Sequence, residues 1–206
     1  MSKNIVSVIG LGFVGFPTAC ILADKENYFK VIGIDKNIKK IRKEKINPFL
    51  RNSNLFEDKV LNNVCQRVIK KNKIHFTDDI KYIQKSNVVI ICINFDFKIN
   101  KLKKLKELKI FFNNIAKFLN KKSLILIETT LPPGTCDKII LPTIKSALSR
   151  RKIKITDIYF NYAFERVMPG KFYAKSITEN FKCFAGMNKI SGVKCKNFLK
   201  KYINYK

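Results

Sequence analysis

Tryptophan is absent from this chain of 206 residues, histidine occurs once, at His75, and acids are scarce, with 15 Asp and Glu against 42 Lys and Arg. Each shortage excludes something. With one histidine and no C-x-x-C pair among Cys20, Cys65, Cys92, Cys136, Cys183 and Cys195, a structural zinc site lacks a ligand set, and no metal is expected. No run approaches the roughly 18 apolar residues of a membrane-crossing helix, so no membrane partner is expected. The opening "MSKNIVSVIG" has only a short apolar stretch, and it ends in glycines rather than a small-residue cleavage site. Six cysteines without a leader read as thiols rather than a disulfide framework, with Cys20 and Cys92 set in apolar runs as buried ones. The expectation is a cytoplasmic protein.

The shortage of acids leaves a formal net charge of +27. That charge reads either as a polyanion-binding surface or as lysine-rich usage over solvated faces. The lysines are scattered along the whole chain, without a basic tail or an RNA-binding signature, which favours the second reading and no nucleic-acid partner. A phosphorylated ligand would still approach through a positive field.

What is present is alternation. Apolar residues make up 46% of the chain, enough for a substantial core. Short β-branched runs "NIVSVIG" (4–10), "KVIGID" (30–35), "KIHFT" (73–77), "NVVIICI" (87–93), "SLILIETT" (123–130) and "DIYFNYA" (157–163) read as strands. Between them lie helical patterns at 13–25, 36–45, 55–71, 102–119 and 132–148, a short helix over "DDIKYIQKS", and a helical tail from residue 188. "INPFLRNSN" (46–54), with Asn47-Pro48, reads as a loop. Strands alternating with helices predict an α/β, Rossmann-like, doubly wound and mainly parallel sheet with helices on both faces.

The segment "VIGLGFVG" spaces Gly10, Gly12 and Gly15 as G-x-G-x-x-G, after the first strand and at the opening of a helix. Gly10 permits a tight turn, Gly12 lets the backbone approach a pyrophosphate, and Gly15 lets the helix pack on the strand. Phe13 and Val14 complete the loop, whose helix start offers free N–H groups to phosphate. Asp35 ends the second strand twenty residues after Gly15. An acid there accepts hydrogen bonds from ribose hydroxyls and repels a 2′-phosphate, which favours NAD over NADP. The alternative is a glycine turn with an incidental acid.

The ordered segments "VIGLGFVGFPTA", "IGID", "INPF", "SNVVIICI", "IETTLPPGT" and "ERVMPG" resemble the UDP-glucose/GDP-mannose dehydrogenase family of nucleotide-sugar dehydrogenases over essentially the whole chain. The resemblance implies oxidation of the C6 alcohol of a UDP-sugar to a carboxylate with two NAD+, through a thiohemiacetal and a thioester on a cysteine of a later domain. It implies that residues 1–187 are the NAD-binding domain. It further implies that 188–206 begin the helix leading to a C-terminal part, and that the full-length enzyme is a homodimer. By the same resemblance Val14, Asp35 and Lys40 contact the cofactor. Thr130 lies near the nicotinamide and positions a water, and Glu165 handles protons at the thioester step. Two plainer readings stand beside these: Thr130 as a turn hydroxyl ahead of Pro132-Pro133, and Glu165 as a loop acid ion-paired beside Arg166. "ERVMPG" looks closer to the N-acetylhexosamine branch than to the UDP-glucose branch.

The chain also departs from the family. "INFDFKIN" stands where the family has V-P-T-P, Phe164 replaces a proline before Glu165, and no cysteine has the setting of the nucleophile. Cys195, in a lysine-rich helix, has neighbours that could lower its pKa. The expected function is the NAD-holding portion of a nucleotide-sugar dehydrogenase, inactive by itself. The alternatives are a non-catalytic dinucleotide module or partner subunit, and a nucleic-acid binder.

Overall fold

A computed structural model of the chain describes residues 4–95 and 101–204. Seven strands form one sheet: β1 (Asn4–Ile9), β2 (Phe29–Ile34), β3 (Ile74–Thr77), β4 (Val88–Ile91), β5 (Leu124–Ile127), β6 (Tyr159–Ala163) and β7 (Phe184–Gly186). Their spatial order is β3-β2-β1-β4-β5-β6-β7. The first six run parallel, and β7 closes the edge antiparallel to β6. The expected Rossmann-like sheet is therefore present. The chain winds outward one way from β1 and then the other way from β4, so the topological switch point lies between those two strands.

Among the described residues eight α-helices cover the sheet. They are α1 (Gly15–Asp24), α2 (Ile38–Ile41), α3 (Asn47–Leu50), α4 (Lys59–Lys70), α5 (Lys101–Ala116), α6 (Leu141–Ser149), α7 (Tyr173–Thr178) and α8 (Lys189–Leu199). β4 and β5 are apolar at every position and wholly buried, because helices lie against both faces. On one face Val6, Val8, Phe16, Ala19, Leu22, Leu61, Val68 and Phe198 form a core. On the other, Ile9, Ile91, Leu108, Phe112, Ile125 and Ile144 form a second. Arg67 on α4 donates two hydrogen bonds to Asp24 on α1, at 2.8 and 2.7 Å, clipping the outer edges of those helices together.

Several local expectations change. The loop expected at 46–54 begins as helix: α2 passes through a wide π turn, Arg42–Ile46, straight into α3. Pro48 does not break it: it sits in the first turn of α3, just past the π turn, and its fixed φ is that of a helix. "DDIKYIQKS" forms a 3-10 helix, Ile80–Lys85, started by the Asp79 side chain accepting from the Lys81 N–H. α7 and β7 had no signal in the sequence pattern, each being too short for a periodicity to register. Of the tail expected to be helical from residue 188, Lys189–Leu199 forms α8, which packs on the sheet through Cys195, Phe198 and Leu199; residues 200–204 leave the helix, with Tyr202 and Ile203 buried behind it. Burial pushes the Cys195 thiol up to about 12, so its lysine neighbours do not activate it. Part of "INFDFKIN", residues 96–100, lies outside the described residues.

The join between β1 and α1 is sterically strict at one end and open in the middle. A Cβ at Gly15 would lie 1.9 Å from the Gly10 carbonyl oxygen, whereas one at Gly12 would meet no atom within 4 Å. Gly15→Ala is therefore expected to cost a few kcal/mol and lower the melting temperature by about 5–10 °C. Gly12→Ala should leave it within about 2 °C. Thermal denaturation followed by circular dichroism checks both, and equal melting temperatures would refute the steric reading.

Candidate functional site

The site is built where β1 and β4 end side by side. Gly10 turns with φ of +89°, a left-handed conformation that glycine adopts without penalty. A Cβ there would lie 2.8 Å from the Cys92 carbonyl oxygen, just beyond β4. The loop that follows leaves Gly12 and Phe13 exposed, with Phe13 75% accessible, before Gly15 enters α1. Thr18 then donates to the Val14 carbonyl at 2.8 Å, satisfying the first turn of the helix.

Asp35 stands beside this loop, at the end of β2. Its Oδ2 accepts the Leu11 N–H at 2.8 Å and its Oδ1 accepts the Asn37 N–H at 2.8 Å. The carboxylate thus ties the glycine loop to the next helix, and each oxygen keeps a lone pair for a further donor. The structure brings Gly10, Gly12, Phe13, Val14, Gly15 and Asp35 together at the switch point. It does not bring Lys40 to them: its contact is an exposed ion pair with Glu44, at 3.8 Å. The lysine at the loop is Lys45, whose Nζ donates to the carbonyls of Leu11 at 2.7 Å and Gly12 at 2.9 Å. Burial holds Lys45 below the ordinary lysine value, partly offset by the nearby Asp35 charge.

Thr130 is exposed just past the end of β5. Its neighbour Thr129 turns inward and donates to the Ile91 carbonyl at 3.2 Å, whereas Thr130 faces solvent. A cavity of about 440 Å³ opens next to it, lined by Leu131, Pro133, Cys136, Tyr162, Phe164 and Met187 among others. No hydrogen bond among the described residues joins Thr130 to Glu165. Instead Glu165 is held inside. Its Oε1 accepts the N–H groups of Arg166 and Val167 at 2.8 and 2.9 Å, and its Oε2 accepts from Lys182 Nζ at 2.8 Å. The Arg166 contact is through the backbone, and the ion pair is with Lys182.

Lys182 also pairs with Glu128, at the end of β5, as an ion contact without a well-aligned hydrogen bond. The three side chains are 7%, 0% and 9% exposed for Lys182, Glu128 and Glu165, so this is a buried ion triad at the carboxyl end of the sheet. The Cys92 thiol completes it, donating to Glu128 Oε2 at 3.7 Å. Burial raises Glu128 above the ordinary carboxylate range, against the pull of Lys182. Burial alone would lower Lys182, but the charges of Glu128 and Glu165 outweigh it and hold the ammonium well above its usual value.

Sequence reasoning missed Lys45, Lys182 and Glu128. Glu128 had a visible mark, as an acid closing an apolar strand. The two lysines had none in a chain with 42 basic residues.

Comparison with known proteins gives the family and the fold. The model of the UDP-glucose/GDP-mannose dehydrogenase family, NAD binding domain, matches residues 4–197. The UDP-N-acetyl-D-mannosamine dehydrogenase of Methanococcus aeolicus is 30% identical over 203 residues, covering 97% of this chain and 42% of that protein. The corresponding enzyme of Pyrococcus horikoshii is 28% identical over 183 residues, covering 89% and 41%. Among solved structures, the UDP-N-acetyl-mannosamine dehydrogenase Cap5O from Staphylococcus aureus superposes with a TM-score of 0.78 at 23% identity, covering 98% of this chain and 46% of that one, a likeness of fold. The chain thus spans under half the length of the relatives it matches.

The triad yields a stability prediction with a pH signature. Lys182→Met leaves two buried carboxylates without their cation and is expected to cost about 3–5 kcal/mol at neutral pH, while Lys182→Arg, which keeps the charge, should lose much less. The variant's folded state then binds protons more tightly than its unfolded state. Its stability therefore rises as pH falls and Glu128 is neutralised. Urea denaturation at pH 7 and pH 5 measures this, and a deficit that is identical at both would refute it.

Proposed function

The chain belongs to the UDP-glucose/GDP-mannose dehydrogenase family, as its NAD-binding domain, and from that premise we propose that it is the NAD+-holding part of an enzyme oxidising a UDP-sugar. The proposed reaction takes the C6 alcohol and one water to a carboxylate, with two NAD+ reduced in succession. The observation that carries the reading is the crevice between β1 and β4, where an open Gly12 backbone and the Asp35 carboxylate stand together. The loop fits a dinucleotide on its own terms: the space at Gly12 is clear, and Asp35 retains lone pairs for ribose hydroxyls. When bound, NAD+ supplies the oxidising power. The chain's own residues bind it, orient it and exclude a 2′-phosphate.

Thr130, exposed at the end of a central strand, is suited to orient a water beside the nicotinamide, since ligands of open α/β sheets bind at the carboxyl ends of the strands. Glu165 is assigned proton handling at the thioester step, and Lys182 sets its aim. The nucleophilic cysteine is assigned to a C-terminal part to which the segment from residue 188 leads. Of the cysteines here, burial pushes Cys136 up to about 11 and Cys195 up to about 12, which leaves them protonated at neutral pH. The sugar is proposed to be an N-acetylhexosamine, as in the names of the relatives above. The enzyme is proposed to act in the cytoplasm as a homodimer, and no described helix is long and apolar enough to cross a membrane.

A second reading, a non-catalytic dinucleotide-binding partner subunit, draws on one observation: both Glu165 oxygens are already engaged by Lys182 and two backbone N–H groups. Supplying a family C-terminal half in trans separates the two. NADH formation from a UDP-N-acetylhexosamine supports the enzyme, and none with any such half supports the module.

The cofactor assignment makes its own prediction. Asp35→Ala should weaken NAD+ about tenfold or more and narrow the preference for NAD+ over NADP+, while Thr130→Ala should leave NAD+ affinity within about twofold. Calorimetric titration with both dinucleotides checks this. Unchanged NAD+ affinity in the Asp35 variant would remove the site from this crevice.

A further inference from the structure

The loop between β1 and α1 turns its carbonyls inward, and side chains from distant segments hold them. Lys45, on the π turn, donates to the carbonyls of Leu11 and Gly12 at 2.7 and 2.9 Å, and its ammonium lies 5.0 Å from the centre of the Phe16 ring. The Tyr173 hydroxyl, on α7, donates to the carbonyl of Phe13. Asp35 grips Leu11 by its N–H.

Peptide planarity then dictates what the other face of the loop presents. Every described peptide bond is trans, and in a trans peptide the C=O of one residue and the N–H of the next point in opposite directions. Holding the carbonyls of Leu11, Gly12 and Phe13 inward therefore turns the N–H groups of Gly12, Phe13 and Val14 outward. None of these three donors meets an acceptor among the described residues. Successive outward N–H groups at the amino end of a helix make a concavity suited to an anion.

We propose that Lys45 and Tyr173 are positioning residues for the diphosphate of the dinucleotide, fixing the three amide donors toward it by holding the loop carbonyls from behind. The inference rests on the reading that this crevice takes NAD+. Lys45 also places one positive charge directly behind the loop. Neither side chain contacts the ligand: both act through the backbone, so their loss weakens binding of the diphosphate and spares binding of the nucleoside.

The test is an NMR titration of the full chain with NAD+, ADP and adenosine, in wild type, Lys45→Met, Tyr173→Phe and Lys43→Met, the last an exposed lysine on the same turn that controls for charge alone. Lys45→Met is expected to weaken NAD+ and ADP about tenfold and Tyr173→Phe about threefold, as loss of a charge-assisted and of a neutral hydrogen bond would. Adenosine should stay within about twofold throughout, as should every ligand with Lys43→Met. Tyr173→Phe keeps the ring packed edge-on against Phe56, so a folded variant exists even if Lys45→Met melts early. Unchanged NAD+ affinity in both variants overturns the assignment. So does a loss shared equally by adenosine, which marks general damage, or one matched by Lys43→Met, which marks bulk charge. A wild-type chain that binds none of the three ligands sinks the dinucleotide reading itself, and this inference with it.

Discussion

The approach of α1 to the end of β1, with Gly15 against the carbonyl of Gly10, is the contact on which the molecule depends. The chain must leave a buried central strand, reverse, and enter a helix within five residues. That is possible only where no side chain separates the two backbones. Once it is met, Phe16, Ala19 and Leu22 lie on the sheet and nucleate one core. The helix start is left at the carboxyl ends of β1 and β4, with its donors facing the crevice. Stability and ligand site therefore share one steric condition, and a change at Gly15 cannot affect one without the other.

Four of the scarce acids, Asp35, Asp58, Glu128 and Glu165, hold neighbouring segments from buried or half-buried positions. Asp58 accepts the Leu61 N–H at 3.0 Å, capping α4, and the Ala174 N–H at 2.8 Å, tying α7 to it. Asp35 joins two loops in the same way, and Glu128 with Glu165 encloses Lys182. Lysine, by contrast, is spread over solvated surface, with Lys45 and Lys182 turned inward. The +27 charge thus conceals a division of labour in which carboxylates organise backbone and most ammonium groups remain in water. This arrangement fits a protein whose proposed ligand is a diphosphate: the positive field is general, and the specific contacts are backbone donors.

The alternation of strands and helices and the glycine turn were legible because both rest on local patterns. Apolar runs of four to six residues mark strands buried on both faces, and G-x-G-x-x-G between a strand and a helix has one common use. Asp35 was legible because its offset from the glycines is set by the lengths of α1, one turn and β2. Lys40 was named from the family resemblance, and Lys45 carried no mark of its own among the lysines of 36–45. The π turn at Arg42–Ile46 adds a residue to one turn and carries Lys45 round to the loop. Glu165 was named from the resemblance, but its ion-pair partner was not. Lys182 reaches it across a strand edge, β7, too short to have been expected.

The sequence by itself determined the alternation of elements, the steric turn at the first glycines and the acid beside it. Each of these is a relation between residues close in the chain or fixed by the pitch of one helix. Only the tertiary structure decided which side chains hold that turn and that acid. The Lys45 contacts span 34 and 33 residues, the Tyr173 contact spans 160, and Lys182 joins Glu165 across 17. Such pairings obey no period, because they are set by how layers stack on the sheet, and a lysine or tyrosine bound for the site looks in the sequence like any other.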